Sequence, residues 1–314
     1  MGQAEAAAVR EVSRPRGGFG GWVRRHRFEL VLITPLFAYL LVLTVAPIID
    51  TIRLSFSASD QGFVTVKSYT RIFHDTVFRH AVVNTIIVAL ISLALEIGIG
   101  LSIALALHVK FAGRGFVRTV LLVPLGVPTI VSGAIMLLIF MRSGYMNSVL
   151  GLFANLIDKI PGIDLKWQNV SWTVAGGWRT LLTISIADMW KVLPIMVLIF
   201  LAGLQSIPED VYEAADVDGA TKWQRFTRVT LPLLVPYFTM ALILRAIDAF
   251  RIYELALVLA GGVEPVLNTY VAAQYFPPNN DPFTSSAAAI VLFGIIMVFI
   301  ILYLRFVARF QVQR

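Results

Sequence analysis

The chain has 314 residues, 58% of them hydrophobic and 14% charged; a soluble domain usually carries about 25% charged residues, so an ordinary soluble fold is excluded. The formal net charge is +7, but the basic residues are unevenly placed, so the excess reads as membrane topology before nucleic-acid binding. The absence of Cys excludes disulfides, thiol catalysis and cysteine metal sites. His26, His74, His80 and His108 show no ligand-type spacing, and no metal is expected.

Residues 1–27 form a polar tail with Arg10, Arg14, Arg16, Arg24, Arg25 and Arg27 and no apolar periodicity, expected to order only on meeting lipid. Leu30 to about Ile49 supplies about 20 apolar residues without a small-x-small cleavage pattern, which suits a retained first span. Arg53 to His80 is a polar loop, and Ala81 to about Leu107 is the second span, interrupted by Asn84, Glu96 and the Gly98/Gly100 pair. After a basic turn, Lys110 to Arg118, the third span runs from Val117 to Phe140 and carries Pro124 and Pro128. A proline inside a helix costs about 3 kcal/mol unless neighbours satisfy the freed carbonyl. The pair therefore suggests a bent helix beside a pathway, or a kink that only aids packing. Arg142 to Arg179 is the longest connection, with Trp167, Trp172 and Trp178 suited to a membrane boundary, and Thr180 to Leu204 is the fourth span.

Ser206 to Pro236 then breaks the apolar pattern with a charged helical hairpin. Ser206-Ile-Pro-Glu209 has capping-box spacing, which predicts a helix running through Ala214 and Ala215 to a stop at Gly219. Thr221-Lys-Trp-Gln224 repeats the spacing and opens a second helix, with Lys222, Arg225 and Arg228, that Leu231-Pro232 is expected to end. Small residues on one face let another protein approach the backbone closely, or they pack on the neighbouring bundle. Leu233 to Leu259 is the fifth span, Gly261 to Thr284 a loop, and about Ser286 to Phe306 the sixth. Short basic segments cluster on one side, from the N-terminal arginines through Lys110, Arg114, Arg118, Lys222, Arg225, Arg228, Arg305, Arg309 and Arg314, whereas the loop after the fifth span has no Lys or Arg. The positive-inside rule thus predicts both termini and the hairpin in the cytoplasm.

Ionisable residues at bilayer depth are functional candidates because they are costly there. Asp188 and Lys191, three apart on one helix, are placed to neutralise each other or to meet a solute. Arg245, Asp248, Arg251 and Glu254 alternate in sign at steps of three, so each has a partner on the next turn, but the ladder winds around the helix. Asp248, flanked by Phe250 and Tyr253, is the preferred contact for a hydroxyl-rich solute: a carboxylate accepts from hydroxyls and aromatic rings stack on a sugar's apolar face. Arg251 and Glu254 read as gate or structural ion pairs. Asn84, Trp190 and Lys191 complete the pathway candidates.

Glu213-Ala214-Ala215, Gly219 and Leu231-Pro232, with Val229 where isoleucine is usual, resemble the EAA loop of permeases in ATP-binding-cassette importers. Asp248-Ala-Phe-Arg251-Ile-Tyr-Glu254 followed by Val258-Leu-Ala-Gly261-Gly262 resembles the span-five signature of the carbohydrate subfamily, with Ala260 in place of threonine. Gly113 to Arg118, Asn147 with Leu150, Trp190-Lys191 with Pro194, and Ala202 to Pro208 are similar too. The resemblance covers nearly the whole chain from the first span onward. It implies an all-α integral membrane protein of the maltose, trehalose and glycerol-phosphate permease type: six transmembrane helices across residues 28–310, a coupling hairpin at 206–232, and cytoplasmic tails at 1–27 and 311–314. The implied function is sugar import across the cytoplasmic membrane of a prokaryote, driven through Glu213, Ala214, Ala215, Gly219, Leu231 and Pro232. The implied partners are a second, homologous permease, two ATPase subunits that bind ATP and Mg, and an extracytoplasmic solute-binding protein.

The chain has no Gly-Lys dipeptide, hence no phosphate-cradling G-x-x-x-x-G-K-[ST] loop, and is not expected to be an enzyme. An intramembrane enzyme would need a nucleophile with a base or clustered His and Asp, which no span offers. Two rivals remain: the same machine for a non-sugar solute, and an ion-coupled secondary transporter using Glu96, Asp188 and Asp248.

Overall fold

The computed structural model describes residues 26–57, 64–160, 167–173 and 176–312. Arg10, Arg14, Arg16, Arg24, Arg25 and Arg314, most of the charge expected in the two tails, lie outside them. The chain divides into two units, residues 1–51 and 52–314. In the first, α1 (Arg27–Leu40) passes through a π-helical turn, Leu41–Val45, into α2 (Ala46–Ser55), whose residues from Ile52 onward are counted with the second. Pro47 has no N–H for the carbonyl of Leu43, and the looser π turn lies directly before it.

The second unit contains α3 (Lys67–His74), α4 (Thr76–His108), α5 (Arg114–Gly126), α6 (Thr129–Phe140), α7 (Tyr145–Ile157) and α8 (Trp178–Gln205). The hairpin follows as α9 (Glu209–Val217) and α10 (Lys222–Arg225), which runs through a second π turn, Phe226–Thr230, into α11 (Leu231–Leu233). Then come α12 (Val235–Phe250), α13 (Glu254–Ala260), α14 (Leu267–Tyr275) and α15 (Pro282–Val312). Among the described residues there are no strands beyond one antiparallel bridge, Ser57 to Val64. Five helical stretches are long and apolar enough to cross a bilayer, or six if the pair bent by 61° around Leu234 counts as one.

Several boundaries differ from the sequence reading. The second span starts at Thr76, inside the expected loop, because Asp75 caps it by accepting from the Val77 N–H at 2.8 Å. The third apolar stretch is Thr129–Ile157, made of α6 and α7, not Val117 to Phe140. Pro128 forces Val127 into an extended conformation and splits the expected helix, and the expected long connection begins with α7. The fifth span breaks at Arg251 to Tyr253, and the loop beyond it contains α14.

At 33 residues, α4 is about 50 Å long at 1.5 Å per residue and exceeds a hydrocarbon core of about 30 Å. It is apolar all round and supplies side chains to three buried clusters: Phe78, Ala81, Ala89 and Leu93 to one, Val88 to another, Ala104 and Leu107 to the last. Lipid is as apolar as these side chains, so their association rests on close packing more than on hydrophobic burial. Near the hairpin Gly203 makes that packing possible: a Cβ there would lie 2.6 Å from the Tyr237 ring and 2.8 Å from Leu234.

The opposite end is tied by polar clamps. Glu264 accepts from Asn84 Nδ2 at 3.0 Å and from the Gly177 N–H, joining α4 to two loops. Asn147 bonds the Val170 backbone through both side-chain atoms, at 2.7 and 3.0 Å. The Tyr270 hydroxyl donates to Asp75 at 2.7 Å; burial first, then the carboxylate beside it, pushes this phenol above its ordinary range. Asp281 takes Arg71 at 2.5 Å and the Thr284 N–H at 3.0 Å. Burial alone would raise that carboxyl, but the Thr284 bonds and Arg71 outweigh it and hold it below its ordinary value.

Candidate functional site

Three spans bring charges together in the interior. Arg245 of α12 is 1% exposed, Glu96 of α4 0% and Asp188 of α8 6%. Arg245 grips Glu96 bidentately, Nε to Oε2 at 2.8 Å and Nη2 to Oε1 at 2.6 Å, and the same Nη2 lies 2.9 Å from Asp188 Oδ2. The Ser92 hydroxyl bridges the two acids, 2.5 Å from Asp188 and 3.0 Å from Glu96. A buried charge is tolerated only when paired and hydrogen-bonded, and this arrangement satisfies all three ions.

This corrects two expectations. Asp188 does not neutralise Lys191; its partner is Arg245, 57 residues along the chain. Of the ladder from Arg245 to Glu254 only the first rung forms, Arg245 Nη1 to Asp248 Oδ2 at 3.7 Å; α12 ends at Phe250, and among the described residues no ion pair continues from Asp248 to Arg251 or from Arg251 to Glu254. Lys191 instead donates to the carbonyls of Pro124, at 3.0 Å, and Val127. Pro128 cannot supply the N–H that the Pro124 carbonyl would take in a continuous helix, so an ammonium from the neighbouring span replaces it. The break between α5 and α6 is thus held open by a side chain of α8.

Beside this break lies a cavity of about 380 Å³ lined by Lys191, Arg245, Asp248, Arg251, Tyr253 and Glu254, among others. The Asp248 side chain is 66% exposed, whereas its neighbour Arg245 is buried. Other pathway candidates lie elsewhere. Phe250 is 2% exposed and packs on Phe299 with ring centroids 5.2 Å apart, because α12 turns it toward α15. Trp190 packs against a buried cluster, and Asn84 belongs to the Glu264 clamp. None of the three lines the cavity. Sequence reasoning placed Glu96 and Arg245 in the spans but missed their pairing; single charges of opposite sign on separate apolar runs were the available signal.

The hairpin follows its local chemistry with two exceptions. Thr221 and Gln224 form the expected reciprocal cap, at 3.3 and 2.8 Å, and Gly219 takes the left-handed φ of +76° that ends α9. Ser206 does not cap α9: its hydroxyl turns back to the Gly203 carbonyl at 2.8 Å, since Ser206 closes α8, and Pro208 occupies the cap position. Leu231-Pro232 does not end the second helix either; the π turn before it absorbs the missing N–H, and the bend comes at Leu234. Arg225 Nη1 reaches both oxygens of Asp216, at 3.0 and 2.9 Å, and its guanidinium lies 5.5 Å from the Tyr212 ring centre. Glu213, Ala214 and Gly219 are exposed, Ala215 is buried, Leu231 is 36% exposed and Pro232 is half-buried. Val217 and Trp223 project at 88% and 71% exposure.

Such a chain, several apolar spans around a paired charge cluster and a charged elbow, is a multi-pass membrane transport subunit. The family of binding-protein-dependent transport system inner membrane components matches residues 96–312, and the chain belongs to it. As the membrane component of a transport system it is not itself an enzyme. It is 36% identical over 296 residues to the trehalose/maltose transport system permease protein MalF of Thermococcus litoralis, covering 92% of this chain and 96% of the relative. It is 32% identical to the trehalose transport system permease protein SugA of Mycobacterium tuberculosis, covering 77% and 76%. The sulfoquinovosyl glycerol transport system permease protein SmoG of Agrobacterium fabrum is also 32% identical, covering 88% and 89%. A solved bacterial ABC transporter importing the polysaccharide alginate shares the fold, with a TM-score of 0.76 at 21% identity over 91% of this chain and 97% of the other.

Proposed function

We propose that this chain is the permease subunit of an ATP-driven importer that passes a sugar, from monosaccharide to oligosaccharide or a derivative, across the cytoplasmic membrane of a prokaryote. The observation that carries the reading is the coverage of sugar-transport permeases over 92% of this chain at 36% identity. The cavity beside the broken spans supports it. Asp248 accepts from substrate hydroxyls, Tyr253 offers a ring face, and Arg251 and Lys191 add donors. Discontinuous helices whose ends face a midplane site are a general device of transporters.

Both termini and the hairpin face the cytoplasm on this reading, with residues 1–27 and 311–314 as tails, 28–310 as the membrane domain and 206–232 as the coupling hairpin. The exposed face with Glu213, Ala214 and Gly219 docks on one of two ATPase subunits, which bind ATP and Mg; Leu231 and Pro232 carry the movement into α12. A second, homologous permease completes the pathway, and an extracytoplasmic binding protein delivers the sugar to the opposite end.

The test is uptake of radiolabelled trehalose and maltose by the reconstituted complex with its binding protein. ATP-dependent uptake is expected, reduced about tenfold or more by Asp248→Asn at unchanged subunit stoichiometry, as for loss of one charged hydrogen bond of about 1.5–3 kcal/mol. Uptake that needs an ion gradient and survives ATP depletion overturns the reading.

A further inference from the structure

At the end of the second unit that carries the hairpin, α4 ends at His108, the chain turns through Lys110, and α5 starts at Arg114. Arg114 and Arg118, one turn apart on α5, both point Nη2 at the side-chain oxygen of Gln205, the last residue of α8, at 3.2 Å each with the amide oriented to present that oxygen. The Nε–H groups of both arginines are shielded from solvent and have no acceptor, and the sheltered Nδ1 of His108 has no partner. Among the described residues, the ion pairs involve Arg71, Arg225 and Arg245, and none reaches Lys110, Arg114 or Arg118.

Two guanidinium groups that share one neutral oxygen repel each other, more strongly where apolar spans exclude water. Their unused N–H groups have the planar fork geometry that matches a phosphate. A cavity of about 850 Å³ opens here, with His108, Lys110, Arg114 and Gln205 on one wall and Lys222 and Arg225 on another. Its acids, Glu209, Glu213 and Asp216, all belong to α9, and Asp216 is engaged by Arg225. The wall formed by the turn between α4 and α5 is therefore basic and without a counter-ion.

We propose that this corner is an anion-binding site in which Arg114, Lys110 and His108 take a phosphate group, carried by a lipid headgroup or free in solution, with Arg118 one turn along α5 adding its charge and its unused N–H from beside the cavity. The bound anion neutralises the arginine pair and ties α5 to the end of α8 from which the hairpin departs. It is separate from the cavity at Asp248, and it stands whatever the cargo is.

The assembled transporter is placed in nanodiscs of phosphatidylcholine, of phosphatidylcholine with phosphatidylglycerol, and of phosphatidylcholine with inorganic phosphate in the buffer. Thermal unfolding and native mass spectrometry of retained lipid are then read. A rise in Tm with retained phosphatidylglycerol identifies a headgroup, and a rise that saturates with phosphate identifies the free anion. The variant R114K/R118K keeps both charges, and hence the topology, but loses the forks; it should weaken the effective anion about tenfold. Lys67→Gln, at the opposite end, should leave the response intact. The proposal is overturned if neither anion is retained or raises Tm, if the double lysine variant responds like wild type, or if Lys67→Gln removes the response.

Discussion

Arg245 ties three spans together, since it holds a carboxylate from each of two others. Removing it strands Glu96 and Asp188, and breaking a buried pair costs about 3–5 kcal/mol. Arg245→Met should therefore lose most folded protein, read as a fall in Tm and in the fraction assembled. Adding Glu96→Gln and Asp188→Asn should recover part of the loss, because no bare charge is then left buried; equal melting of Arg245→Met and wild type would remove the cluster from the structural account. At the far end, Asp281 is held below the ordinary carboxylate range, so its contribution is full above its unfolded value near 3.8 and lost as pH falls through the depressed folded value. Asp281→Asn should be the less stable protein at neutral pH, with the gap to wild type closing in strong acid when melting is followed downward from pH 7.

Among the elements, the hairpin has the most readable sequence, because its caps are local. The Thr221 and Gln224 cap and the left-handed Gly219 follow from a few adjacent residues. Ser206 shows the limit of that reasoning: a hydroxyl at the junction of two helices can serve either, and the earlier helix took it. Gly219 also offers a clean probe. A Cβ there meets nothing within 4 Å in this chain, so a substitution has only the left-handed penalty, about 1–2 kcal/mol, to bear internally. Gly219→Asp should abolish ATP-driven uptake while binding-protein affinity and assembly of the membrane subunits persist. Uptake retained in reconstituted vesicles would count against the hairpin as the coupling surface.

For the whole molecule, topology is testable directly, since the chain has no Cys to mask a label. Single cysteines at Val217 and Asn280 should react with an impermeant maleimide from opposite sides, Val217 only after the cytoplasmic face is opened. Labelling of Val217 in intact cells would reverse the orientation. Most spans were legible in the sequence as long apolar runs, but the third was not: Pro124 and Pro128 suggested one bent or kinked helix, whereas Pro128 splits it and the apolar stretch there is Thr129–Ile157. Partner choice was not legible either: spacing on one helix suggested Asp188 with Lys191, whereas the structure pairs Asp188 with an arginine 57 residues away and Lys191 with two carbonyls at the Pro128 break, of which that of Pro124 is freed by the proline. The helices α7 and α14 sat in stretches that read as connections, because tryptophan, proline and asparagine nearby obscured their shorter apolar patterns. Phe250 looked available beside Asp248 only because sequence gives no helix rotation relative to a bundle.

The 61° angle around Leu234 has a mechanical meaning. A rod that meets its neighbour obliquely receives a thrust more sideways than lengthwise, so if the elbow is the coupling surface proposed above, a shove on it would swing α12 instead of sliding it like a piston. The salt-linked guanidinium of Arg245, farther along that same arm, would then be dragged laterally against its two anchored carboxylates.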